Sequence, residues 1–122
     1  MSEKLYTLAD SGQLEEMVDL ACEDGGEQDG TMYRWLLVAS SLPNDARAEA
    51  RDWAADFFEF ELKGANEPAA RARFDVARWF IMGENGVAQN AKRGLAHLEE
   101  AKKLGIAEFV SEEALRELES QS

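Results

Sequence analysis

The sequence predicts an all-α fold of five to six helices joined by short connections, a bundle or a solenoid. Three observations carry that expectation. Only two prolines occur, Pro43 and Pro68, and both stand where helices should begin or end. No stretch alternates apolar and polar residues for long enough to argue for a strand. Apolar residues instead recur at helical spacing, between breaks rich in Gly and Asn.

The first clear helix is expected over about Gln13 to Glu23, where Leu14, Met17, Val18 and Ala21 share a face. Leu5 and Leu8 suggest a preceding turn or helix, with Gly12 as its weak point. "EDGGEQDG" (23–30) is a turn by composition. The next helix, Thr31 to Ser41, is apolar on most sides, which marks a helix buried between neighbours. "LPND" breaks the chain, and Asn44 or Asp45 is placed to cap a helix running to about Lys63. On it, Ala46, Ala50, Trp53, Phe57 and Phe60 or Glu61 follow one face. Gly64 should end it. Asn66 should cap a fourth helix, with Pro68 in its first turn, reaching about Met82. After a glycine-bearing loop, a fifth helix should span Ala91 to Leu104 and stop at Gly105. Ser111 should cap a short last helix at 111–120, with Glu112 and Glu113 in its first turn.

The 122 residues suffice for one domain, and 45% hydrophobic content supports a real core. The net charge of −12 disfavours nucleic acid and acidic membrane surfaces, and favours a basic protein partner. The charge is uneven. Residues 1–30 hold nine acids against one Lys, whereas residues 64–105 hold five acids against seven bases. A single Cys leaves no internal disulfide. With no long apolar run and no signal-like apolar core in "MSEKLYTLAD", a cytoplasmic chain is expected.

The loop "GENGVAQNAKRG" (83–94) raises the question of a phosphate cradle. It lacks a Lys followed by Ser or Thr, lacks the G-x-G-x-x-G spacing, and follows a helix where such loops follow a strand. The turn of a helical hairpin suits it better. Residues 72–105 resemble a Sel-1-like repeat, a helical hairpin of the tetratricopeptide type. Ala72, Val76, Ala77 and Phe80 stand at the first-helix positions of that pattern. Gly83, Gly86 and Val87 match its loop, with one extra residue between the glycines. Arg93, Gly94, His97, Leu98, Glu100, Ala101, Lys102 and Gly105 occupy the places of its second helix, with three departures. Gly94 stands where a helix-favouring Ala is usual, at a propensity cost of roughly 1 kcal/mol. His97 replaces an aromatic, and Lys102 replaces the second Ala. Residues 9–41 resemble a degenerate copy, with Leu20 and Ala21 at the pattern's Leu-Gly pair, "EQDGTMYRWLLVA" at the loop end and second helix, and a shortened loop. Helix 44–63 intervenes without fitting the pattern. The resemblance implies one domain over 1–122, built as a short α-solenoid of stacked helical hairpins. Its repeats are 9–41 and 66–105, and helix 111–120 caps it. Members of the family act as adaptors or binding scaffolds.

Residues with chemistry of their own are few. His97, the only His, has no metal-binding companions and is expected to pack or face water. Cys22 lies beside Glu23 and Asp24, which disfavour its thiolate, and reads as a small core residue. Adjacent acid pairs such as Glu99 and Glu100 point apart on a helix. The EF-hand register is missing from "EDGGEQDG". No catalytic, metal or cofactor site is expected. Phe57, Phe58 and Phe60 fan too widely around their helix to share one core, so one of them, Phe58, is expected to face outward. Tyr33 and Trp79 are further candidate anchors, because Tyr and Trp often carry interface energy. With the acids Glu23, Asp24, Glu27 and Asp29 they make up the candidate partner-binding set. The expectation is a non-enzymatic, acidic protein-binding module of inhibitor or immunity type that neutralises a basic protein, such as a bacterial toxin. An adaptor, chaperone or regulatory scaffold is the alternative, and a homodimer suits either.

Overall fold

The computed structural model describes residues 2–23 and 30–122. Those residues form seven α-helices, one π-helical turn and one 3-10 turn, with no strand among them. The fold is all-α and built of packed helical hairpins. The chain divides into two compact units, residues 1–64 and 65–122. The boundary falls at the glycine that the sequence marks as a helix stop.

The first unit contains α1 (Ser2–Asp10), α2 (Leu14–Glu23), α3 (Thr31–Ala39) and α4 (Arg47–Asp56), followed by the π-helical turn Phe57–Glu61. Helix α3 packs against α1, α2 and α4. Tyr33 and every residue from Trp35 to Ala39 are buried, so the all-round apolar helix is the central one. Leu5, Leu8, Leu14, Met17 and Ala21 close over it from α1 and α2. Asn44 ties three segments together. Its Nδ2 donates to the Ala9 and Ala39 carbonyls at 3.0 and 3.4 Å, and its Oδ1 accepts from the Ala46 N–H at 2.9 Å. The N-cap of α4 is Ala46 itself. Asn44 thus serves the start of α4 from two residues before its cap while satisfying the C-terminal carbonyls of α1 and α3. The expected helix to Lys63 changes register at Phe57. There the Leu62 N–H bonds the Phe57 carbonyl, five residues back, at 3.0 Å. The chain then turns through two left-handed residues, Lys63 and Gly64.

The second unit contains α5 (Asn66–Met82), α6 (Ala91–Lys103), the 3-10 turn Ile106–Glu108 and α7 (Glu112–Ser120). Helices α5 and α6 form a tightly packed hairpin. Its core joins Ala70, Ala77, Ile81, Leu98 and Ala101 to Ile106, Leu115 and Leu118. Asn66 is the first helical residue of α5 rather than its cap. Ala65 holds the cap position without a side-chain bond. Asn90 and Ser111 do cap α6 and α7, accepting from the Arg93 and Ala114 N–H groups at 3.1 Å each.

The glycine loop is the turn of this hairpin. Gly83 takes φ 68° and ends α5. Asn85 and Gly86 both have positive φ, and the Val87 N–H closes on the Glu84 carbonyl at 3.1 Å. This is the mirror-image turn that Asn-Gly favours. Val87 is buried, the Gln89 side chain donates to the Ile81 carbonyl, and the Asn90 N–H donates to the Phe80 carbonyl.

Gly94 is explained by close approach. A Cβ there would clash with the Ile81 side chain and lie 2.8 Å from the Ala77 carbonyl oxygen. The helix-breaking residue lets the backbones of α5 and α6 come together.

Candidate functional site

The first unit carries a groove of about 300 Å³. Val18 of α2, Met32 and Leu36 of α3, and Trp53 and Phe57 of α4 and its π-turn form the apolar lining, with Phe60, Asp56 and Glu61. Each is placed by an element already described. Leu36 is buried at the centre of α3. Trp53 and Phe57 stand four residues apart on one helical face. Phe57 is held from beneath by Tyr33, whose ring stacks on it at 5.2 Å between centroids and 16° between planes. The π-turn winds more slowly than an α-helix and rotates the next residues outward. Phe60 is consequently 67% exposed, the highest exposure among the large exposed apolar side chains. Asp56 and Glu61 are both exposed and join no ion pair among the described residues. The result is an apolar floor beside two free carboxylates.

Most of the chain's net charge belongs, by sequence, to the first unit. Residues 1–64 hold fifteen acids against five bases, a net of −10, and residues 65–122 hold ten acids against eight bases, a net of −2. The second unit's acids are partly neutralised in place. Arg78 meets Glu84 at 3.2 Å, Lys103 meets Glu100 at 3.3 Å, and Lys102 pairs with Glu99 and Glu119.

The residues expected from sequence to meet a partner are scattered. Glu23 is exposed at the end of α2. Asp24, Glu27 and Asp29 lie outside the described residues. Tyr33 is buried, so it supports Phe57 from within and does not stand on the surface. Phe58 is half-buried, and Phe60 instead is the ring that faces out. Trp79 is half-buried on α5, in the second unit, away in sequence from every groove residue. The groove residues were missed because the spacing of Trp53, Phe57 and Phe60 reads as a core stripe until the π-turn breaks its register.

His97 is buried between α5 and α6. Its ring is parallel to Phe80, with centroids 5.9 Å apart, and its Nδ1 accepts from the Arg73 guanidinium at 3.0 Å. Arg73 has only donors to offer, so the imidazole proton sits on Nε2. Burial first, and the Arg73 charge second, push the imidazole down from 6.5 to about 3. It is a neutral packing group at any ordinary pH. Cys22 is half-buried, with its Sγ 3.6 Å from Met32 Sδ. Among the described residues no three His, Cys, Asp or Glu side chains gather as a metal cluster, and no helix is long and apolar enough to cross a membrane. A second hollow of about 190 Å³ lies between α5 and α7, lined by Phe74, Arg78 and Glu117 among others.

No family model, curated protein or solved structure matches the chain.

Proposed function

We propose that the protein is a non-enzymatic binding module whose first unit captures a basic protein and, by covering it, inhibits it in the manner of an immunity protein for a toxin or effector. The observation that carries this reading is the coincidence of an apolar, aromatic groove with ten of the twelve net negative charges. Apolar area supplies binding energy, and a one-signed field speeds encounter with a partner of opposite sign, by factors of ~10–1000 at low salt. We place it among Sel-1-like repeat proteins. The pattern positions Ala72, Val76, Ala77, Phe80, Gly94, His97, Leu98 and Ala101 are all buried in one tight hairpin, which supports that placement.

The test is kinetic. With the partner retained by the tagged full chain, neutralising Glu23, Asp24, Glu27 and Asp29 together should slow association and flatten its salt dependence. An unchanged association rate would remove the electrostatic part of the proposal. An adaptor on the same scaffold would instead hold several partners weakly, each lost at high salt.

A further inference from the structure

The groove of the first unit has a shape and charge that specify its occupant more closely than a basic protein surface. We infer that it takes a basic amphipathic helix, which inserts a short row of bulky apolar side chains between Val18, Met32, Trp53 and Phe60 and sets Lys or Arg against Asp56 and Glu61. This rests on the reading that the first unit binds protein, and it names the element of the partner that is bound.

The argument has three parts. The hollow of about 300 Å³ is lined mainly by apolar side chains, Val18, Met32, Leu36, Trp53, Phe57 and Phe60. Such a lining suits bulky apolar anchors projected into it from the occupant. The walls are helices α2, α3 and α4, and no strand edge exists among the described residues to pair with an extended peptide. Recognition by strand addition needs such an edge, whereas an amphipathic helix needs only an apolar groove met at i, i+3, i+4 and i+7. The third part is charge. Trp53 and Asp56 of α4 and Phe57, Phe60 and Glu61 of the π-turn all line the groove, so two carboxylates border its apolar side chains. Both carboxylates are exposed and unpaired. A second copy of this chain is the poorer occupant, because each copy brings a first unit of net −10.

The experiment titrates the full 122-residue chain with a synthetic helical peptide of about 15 residues. The peptide carries Leu at the i, i+4, i+7 positions and Lys or Arg elsewhere. Three controls share its anchors: one with Glu in place of each cation, one interrupted by proline, and one with the anchors scrambled. Binding is followed by isothermal titration and by the amide and methyl resonances of Val18, Met32, Leu36 and Trp53. The proposal expects the basic helix to bind, to move those resonances, and to lose at least tenfold in affinity in Phe60→Ala. Asp56→Asn combined with Glu61→Gln should weaken binding at low salt and reduce its salt dependence. Phe60 is exposed, so its truncation leaves the fold in place.

Equal binding of the Glu-bearing peptide overturns the charge argument. Equal binding of the proline-interrupted peptide overturns the helix. Binding that Phe60→Ala leaves unchanged, with shifts outside the groove, overturns the site. Absence of binding by every peptide overturns the inference while leaving the protein-binding reading intact if the chain still retains a basic protein. Loss of both defeats the two together. A rise in molecular weight by light scattering that Phe60→Ala abolishes would assign the groove to a second copy and refute the inference.

Discussion

Lowering the pH from 7 to 5 should cost the second unit about 2 kcal/mol through one residue, His97. In the folded chain its imidazole is held at about 3, against 6.5 when unfolded. The folded value is the lower one, so between these values the unfolded chain binds a proton that the folded chain refuses. Stability from this group is therefore complete above pH 6.5 and falls as the pH drops, at up to about 1.4 kcal/mol per unit. Over pH 7 to 5 that amounts to about 2 kcal/mol, and down to pH 3, where the folded imidazole itself begins to protonate, to about 4 kcal/mol. The cause is desolvation under Phe80 and beside Arg73, whose guanidinium already occupies Nδ1. Urea unfolding at pH 7, 6 and 5, read from Ala77 and Leu98 resonances, measures the total. The same series in His97→Gln, which keeps an acceptor within reach of Arg73, isolates the His97 share. The chain has one His, so its Cε1–H is a single NMR resonance and should not titrate between pH 7 and 5. A resonance that titrates near 6.5, or a wild-type-minus-variant difference that stays constant with pH, would refute the argument.

Other perturbations follow from packing and hydrogen bonding. Gly94→Ala should destabilise the α5–α6 hairpin by about 1–3 kcal/mol in thermal or urea unfolding, although Ala gains roughly 1 kcal/mol in helix propensity. The added methyl group meets the Ala77 carbonyl, which is backbone and cannot turn aside; a stabilised variant would contradict the close approach. Asn44→Ala should cost about 1–3 kcal/mol, because the Ala9 and Ala39 carbonyls lose their donor, and a change within 0.5 kcal/mol would count against that role. Ser111→Ala should cost about 1 kcal/mol through the lost cap on α7, seen as faster amide exchange at Ala114 and Leu115. Phe60→Ala should leave the unfolding midpoint within about 0.5 kcal/mol of wild type, as expected for an exposed ring.

Features set by neighbours in sequence were legible. The all-round apolar pattern of the helix from Thr31 identifies the buried central helix, and the glycine loop bearing Gly83 and Gly86 identifies the hairpin turn. Ser111 shows as a cap because its acceptor role spans only three residues. Features set by distant atoms were not legible. Gly94 reads as a defect until Ala77 and Ile81 are brought against it across the hairpin. The state of His97 depends on Arg73, twenty-four residues earlier. Asn44 looks like a simple cap, because its contact with Ala9 spans thirty-five residues. The groove was hidden for a different reason. Helical periodicity assumes a constant pitch, and the π-turn at Phe57–Glu61 changes it at the point where Phe58 and Phe60 exchange roles. Asp24, Glu27 and Asp29 remain proposals from charge alone.

The most direct test of the central claim is affinity capture with the tagged full chain from lysate of its own organism, at low and at high salt, with bound proteins identified by mass spectrometry. The account predicts one dominant basic protein, retained at high salt because apolar contact around the groove survives screening. Capture of nothing, or of acidic proteins only, would contradict it.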